Sequence, residues 1–308
     1  MKYLIIITTL LFSAINAQTI EKDSKNISVS PFIDGTVLVP KTAEKIPLAI
    51  IIGGSGPTDR NGNQQMMENN SLRYLAEGLY KNNIASFRYD KRIVKQMKER
   101  TINEASIRFD DFIKDADDVL KFFSKAETFS KIYIIGHSQG SLVGIMAAQK
   151  GADGFISIAG AGQSIDNVIV EQLSKQAPGL TENARTAFAE MKANGSTTNY
   201  SPGLSSIFRE ALQPFIYSWM KFNPREELTK LDIPVMIING DNDIQVAVTE
   251  ADLLHRAKPG ADFLIVPKMN HVLKKIEGDA LENQKAYNDY KMPVMPELIV
   301  SISNFINK

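Results

Sequence analysis

LAIIIGG (48–54) is apolar at every position until its glycines. A strand with one wet face alternates polar and apolar residues. An unbroken apolar run this short is what a strand buried on both faces of a mainly parallel sheet requires. IASFRYD (84–90), KIYII (131–135), DGFISIAG (153–160), IPVMIING (233–240) and DFLIVP (262–267) read as further strands. Helical spacing separates the early ones, in SLRYLAEGLYKNN (71–83) and in FDDFIKDADDVLKFFSKA (109–126), whose acids lie opposite its phenylalanines. Such alternation implies right-handed crossovers, hence an α/β fold: a mainly parallel open sheet with helices on both faces. Ligands of such sheets bind beyond the carboxyl ends of the strands.

The alternation stops between Gly162 and Leu231, where VIVEQLSKQ, ENARTAFAEMKA and LSSIFREALQPFIYSWMKF all read as helix. We expect an inserted helical cap over 162–231, flanked by core segments 18–161 and 232–308, with PELIVSISNFINK as a closing helix. ISVSPFIDGTVLVP (27–40) reads as an antiparallel pair turning at Asp34 and Gly35. Residues 1–17, with Lys2, an apolar run from Tyr3 to Phe12 and small residues ending at Ala17, follow signal-peptide grammar, so an exported protein, periplasmic or secreted, is expected. That run is short for a membrane span, and no later stretch approaches ~20 apolar residues, so no stable membrane integration is expected.

Lys plus Arg and Asp plus Glu both total 35 among 308 residues, which leaves no net field to attract nucleic acid or an anionic membrane. Cysteine is absent, so the nucleophile must be something else. Histidine occurs only at 137, 255 and 271, without metal-ligand spacing, and no metal is expected.

GHSQG (136–140) sits between a buried-type strand and a helix, where a sharp turn would hold Ser138 at positive φ between two glycines. A serine hydroxyl is a poor nucleophile at neutral pH and needs a histidine base oriented by a carboxylate. IPVMIINGDNDIQV places Asp243 just past one strand, and DFLIVPKMNHV places His271 just past another. Ser138, Asp243 and His271 can therefore converge on one rim as a catalytic set. Asp241, on the same short loop, is a rival for the acid. His255 falls in the helical pattern ADLLHRAK. Asp59 and Arg60 read as a local ion pair holding their loop, with lining the pocket as the alternative. Phe188, Met191, Phe215, Tyr217, Trp219 and Phe222 of the cap read mainly as core, any one of them a candidate pocket wall. KKIEGDALENQK (274–285) reads as a solvated surface segment.

On GHSQG, the GDND segment, the MNH segment and their order, the chain resembles the α/β-hydrolase superfamily over nearly all of its mature length. GGSGPTDRNGN, the helical insert and the C-terminal tail look like the bacterial esterase and serine-aminopeptidase-like branch. That resemblance implies an α/β-hydrolase fold and an oxyanion hole made by the Ser55 and Gln139 amides. It departs from the pattern at Gly53-Gly54, where many members have His-Gly, and after Arg92, where Ile93 and Lys95 replace an RG-x-G turn. The expected function is an exported serine carboxylesterase acting on a small-molecule ester through an acyl-enzyme, with no cofactor. A serine aminopeptidase or amidase, or a non-catalytic binding protein on the same fold, is the alternative. Gln139 stands where prolyl aminopeptidases often carry Trp. The oligomeric state is left open.

Overall fold

The computed structural model describes Ile20 and residues 22–308, so the expected signal peptide lies outside the described residues. β1 (Ser24–Ser30) and β2 (Ile33–Leu38) lead into β3 (Leu48–Ile52), β4 (Ala85–Tyr89), β5 (Ile132–His137), β6 (Gly154–Ile158), β7 (Val235–Gly240) and β8 (Asp262–Val266). They form one eight-stranded sheet in the order β1-β2-β4-β3-β5-β6-β7-β8. The β1–β2 and β2–β4 pairings are antiparallel and the rest are parallel. Every residue of β3 to β7 is buried, including the polar Ser86, Arg88, Ser157 and Asn239 set among the apolar ones.

The helices are α1 (Ser71–Tyr80), α2 (Arg92–Lys98), α3 (Phe109–Lys125), α4 (Gln139–Ala148), α5 (Ile165–Gln176), α6 (Thr181–Asn194), α7 (Ser205–Phe208), α8 (Gln213–Met220), α9 (Pro224–Thr229), α10 (Val248–Ala257), α11 (Ala280–Ala286) and α12 (Pro296–Ile306). Successive strand side chains point to opposite faces. Ile50, Ile134, Phe155 and Ile237 pack with α3, α4 and α10. Their neighbours Ile51, Ile135, Ile156 and Ile238 pack with α1 and α12. Each such side chain, fully buried, contributes about 1.5–3 kcal/mol. Helices α5 to α9 all lie between β6 and β7, so the helical region is an insertion in an α/β-hydrolase fold. It has its own core of Phe188, Met191, Leu204, Phe208 and Ile216.

Several expectations need correction. The first hairpin turns between Ser30 and Ile33, while Asp34 and Gly35 lie inside β2. Gly35 is needed for packing: a Cβ there would come within 2.5 Å of the Phe87 ring. LSSIFREALQPFIYSWMKF is not one helix, because Arg209 is extended (φ −55°, ψ 143°) and Pro214 sits in the first turn of α8, where its missing N–H costs nothing. The stretch after His271 is not merely surface: Lys274 is fully buried, its ammonium on the Met292 carbonyl and 4.7 Å from the Tyr74 ring centroid. Burial lowers its pKa to about 8. After β4 the chain enters α2 directly at Arg92, which pairs with Asp115 through two bonds of 2.7 and 2.8 Å, so the turn needs no glycine.

Candidate active site

The switch in strand order falls between β3 and β5, and the loops leaving these two strands frame the crevice where such sheets bind ligands. At the end of β5, Ser138 adopts φ 54° and ψ −123°, a conformation that costs roughly 1–3 kcal/mol in a non-glycine residue. Strand and helix close tightly around it. A Cβ at Gly136 would lie 2.6 Å from Ser141 Cα, and one at Gly140 2.7 Å from the Gly53 carbonyl oxygen. The Ser138 amide donates to the Ile158 carbonyl (2.9 Å) and its carbonyl accepts from Ser141 (2.9 Å), so the turn is bonded on both sides. Helix α4 then begins at Gln139 and aims its positive end at the site.

Asp243 and His271 meet. His271 Nδ1 lies 2.7 Å from Asp243 Oδ2, and both side chains are buried. Asp243 Oδ1 accepts from the Gln245 and Val246 amides (2.7 and 2.9 Å), which fixes the carboxylate. An ionised carboxylate only accepts, so the proton of a neutral imidazole sits on Nδ1 and leaves Nε2 free as a base. Asp241 is elsewhere, accepting from the Lys268 amide at 2.5 Å. Ser138 and His271 line one cavity of about 360 Å³ together with His137, Thr58, Gln64, Met67 and Tyr287. The Ser138 hydroxyl makes no hydrogen bond to His271 in this structure; such contacts often tighten only when substrate binds.

The Ser55 amide forms no hydrogen bond among the described residues, and Gln139 occupies the first position of α4, whose amide has no partner inside the helix. Both residues border a second lobe of about 270 Å³ lined by Leu142, Ile165, Val168, Ile169, Trp219 and Val246. Of the six candidate cap residues, Trp219 alone reaches it. Phe188 and Met191 are buried in the cap, and Phe215 packs between cap and core.

His137, next to Ser138, is buried and its Nε2 lies 2.8 Å from the His271 carbonyl, so it ties down the backbone of His271. Burial, and then the nearby His271, lower its pKa to about 4, which keeps it neutral and makes Nε2–H the donor. The sequence marked it only as a neighbour of the nucleophile. His255 stacks on Phe263 (4.6 Å), off the site. Arg60 pairs not with Asp59 but with Asp90 (2.8 Å), while Asp59 accepts the Asn61 and Asn63 amides (2.8 and 2.9 Å). The loop is thus held by a long-range ion pair and a local turn. A wider polar cavity of about 720 Å³ lies beyond this loop, beside Asn26, Thr36 and Arg88, and is lined by neither Ser138 nor His271.

No model of a known protein family matches the chain. It is 25% identical over 272 residues to the esterase EstD of Thermotoga maritima, an alignment that covers 83% of this chain and 61% of EstD. Est1E from Butyrivibrio proteoclasticus, solved with ferulic acid bound, superposes with a TM-score of 0.59 at 16% identity over 92% of this chain and all of Est1E. A puromycin-hydrolysing peptidase of Mycobacterium tuberculosis gives 0.55 at 13% identity over 92% of this chain and 39% of the peptidase. These two structures share the fold. Taken with the strand order and the strained turn at Ser138, these likenesses show that the chain has the α/β-hydrolase fold.

Proposed function

We propose that the protein is a serine hydrolase that cleaves small carboxylic esters through an acyl-enzyme. The observation that carries this reading is the 2.7 Å Asp243–His271 bond in the wall of the cavity that the Ser138 turn enters. In it, Ser138 attacks the carbonyl carbon and His271 takes the hydroxyl proton. Asp243 stabilises the imidazolium, and the Ser55 and Gln139 amides receive the oxyanion. His271 then returns the proton to the departing alkoxide, and water repeats the sequence to release the acid.

The same proton path orients the substrate. The leaving oxygen must lie near His271, so the alcohol occupies the lobe lined by His271, Gln64 and Thr58. The acyl group occupies the apolar lobe beside Trp219 and Ile169. Ester rather than aminopeptidase chemistry is favoured because no carboxylate lines either lobe among the described residues, and a substrate α-ammonium would need one. Est1E binds ferulic acid, which puts aromatic acyl groups beside alkanoates as candidates.

A fluorophosphonate probe should label the wild type and not Ser138→Ala. p-Nitrophenyl acyl esters should turn over faster than aminoacyl-p-nitroanilides, and the reverse order would make the protein an amidase. Absence of labelling with no turnover would leave a binding protein. Export, supported by the pattern of residues 1–17, predicts a mature N-terminus after Ala17, readable by mass spectrometry of the extracytoplasmic protein.

A further inference from the structure

Lys91 follows β4, yet it is only 5% exposed, and its side chain ends between the two loops that frame Ser138. Nζ donates to the Gly54 carbonyl at 2.9 Å and to Gln139 Oε1 at 2.6 Å, and stands 4.3 Å from the Phe112 ring centroid. The Lys91 amide donates to the Thr58 carbonyl at 3.2 Å, a further tie to the same loop. The Gly54 carbonyl and the Ser55 N–H belong to one rigid peptide plane, so fixing the oxygen fixes the direction of the N–H. Gln139 carries the other amide. We propose that Lys91 is a positioning residue that holds and polarises both halves of the oxyanion hole, gripping the 54–55 peptide by its carbonyl and Gln139 by its side chain.

This inference rests on the serine-hydrolase reading. An ammonium on a carbonyl draws electron density through the peptide and makes its N–H a stronger donor. Buried charge also acts across a low dielectric, so its benefit grows as the oxyanion develops. Lys91 forms no ion pair among the described residues. The acid nearest in effect, Asp115, is bound to Arg92. Tyr89 and Asp115 are the titratable side chains that share its small internal void. Burial lowers the Lys91 pKa to about 7, partly offset by Asp115, so the polarising ammonium is fully present only below that pH, while the neutral amine keeps donors for the same two oxygens above it. A fold that needed only to fill this space would keep an apolar side chain here, since a buried ammonium is costly.

The test compares wild type, Lys91→Met and Gln139→Leu on p-nitrophenyl butyrate, with phenylboronic acid as the probe of the anionic tetrahedral state and thermal unfolding as the control. Lys91→Met should lower kcat about 30- to 100-fold with KM within about threefold, below the full loss of one oxyanion donor. Boronate affinity should weaken in parallel. Gln139→Leu, which keeps its amide, should lose about 5-fold, and the double variant should lose no more than Lys91→Met alone, because both changes cut one linkage. An active wild type with undiminished kcat and boronate affinity in Lys91→Met overturns the positioning role alone. Should Lys91→Met fail to fold, unchanged kcat and boronate affinity in Gln139→Leu overturn it. A wild type that neither turns over esters nor takes the fluorophosphonate overturns the hydrolase reading as well.

Discussion

The strand ends and the helical insert both face Ser138, but different physics holds each in place. At the rim the positions are set by backbone: a positive φ at Ser138, two glycines where no Cβ fits, and a carboxylate pinned by two amides. The insert packs around a separate cluster of its own and reaches the cavity through side chains such as Ile165, Ile169 and Trp219. A backbone-fixed rim tolerates almost no displacement, whereas a side-chain wall can be resized one residue at a time. On the proposed hydrolase reading, chemistry therefore belongs to the first region and substrate selection to the second.

Substitutions in the two regions should differ in kind. Asp243→Asn keeps the shape but favours the wrong imidazole tautomer, and kcat should fall about 10⁴-fold. Asp241→Asn should change it little, and a large loss there instead would reassign the acid. Gly140→Ala drives a methyl against the carbonyls at the end of β3 and should cost about 3 kcal/mol, seen as a lower denaturation midpoint.

The next effect depends on pH. His137 has a native pKa of about 4 against an ordinary histidine value of 6.5, so the unfolded chain binds more protons between these values. Its contribution is complete above pH 6.5 and is lost as the pH falls through that window, worth about 3 kcal/mol at the acid end. His137→Gln, which keeps a donor for the His271 carbonyl, should flatten the melting temperature between pH 6.5 and 4. A slope identical to wild type would assign it to other groups.

The smallest effect belongs to the insert. Trp219→Ala should shift the preferred acyl group towards longer chains by about tenfold in relative kcat/KM, leaving acetate turnover within about threefold. Equal losses on every ester would show the insert acting on the chemistry and erase the distinction between the regions.

The parallel sheet and the serine turn were legible in the sequence because their constraints are local. A strand buried on both faces is apolar at most positions, and a strand-to-helix turn that admits no Cβ must carry glycine at fixed spacing. The order Ser138, Asp243, His271 followed from where strands end. Asp243 was preferred to Asp241 at that level, but with Asp241 as a standing rival, since both sit on one short loop. The tertiary structure separates the two by the direction in which the loop leaves β7, with Asp243 facing His271 and Asp241 facing the Lys268 amide.

Longer-range partners were hidden for a similar reason. Arg60 lies beside Asp59 in sequence but binds Asp90, and Lys274 looks like a surface lysine yet is buried against Tyr74. Lys91 sits in a charged string, and nothing local shows that its ammonium ends between residues 54 and 139. Backbone sterics and hydrophobic period are written over a few neighbouring residues and can be read one segment at a time. The partners of a long charged side chain are fixed only when segments far apart in the chain pack together, and that is decided by the fold.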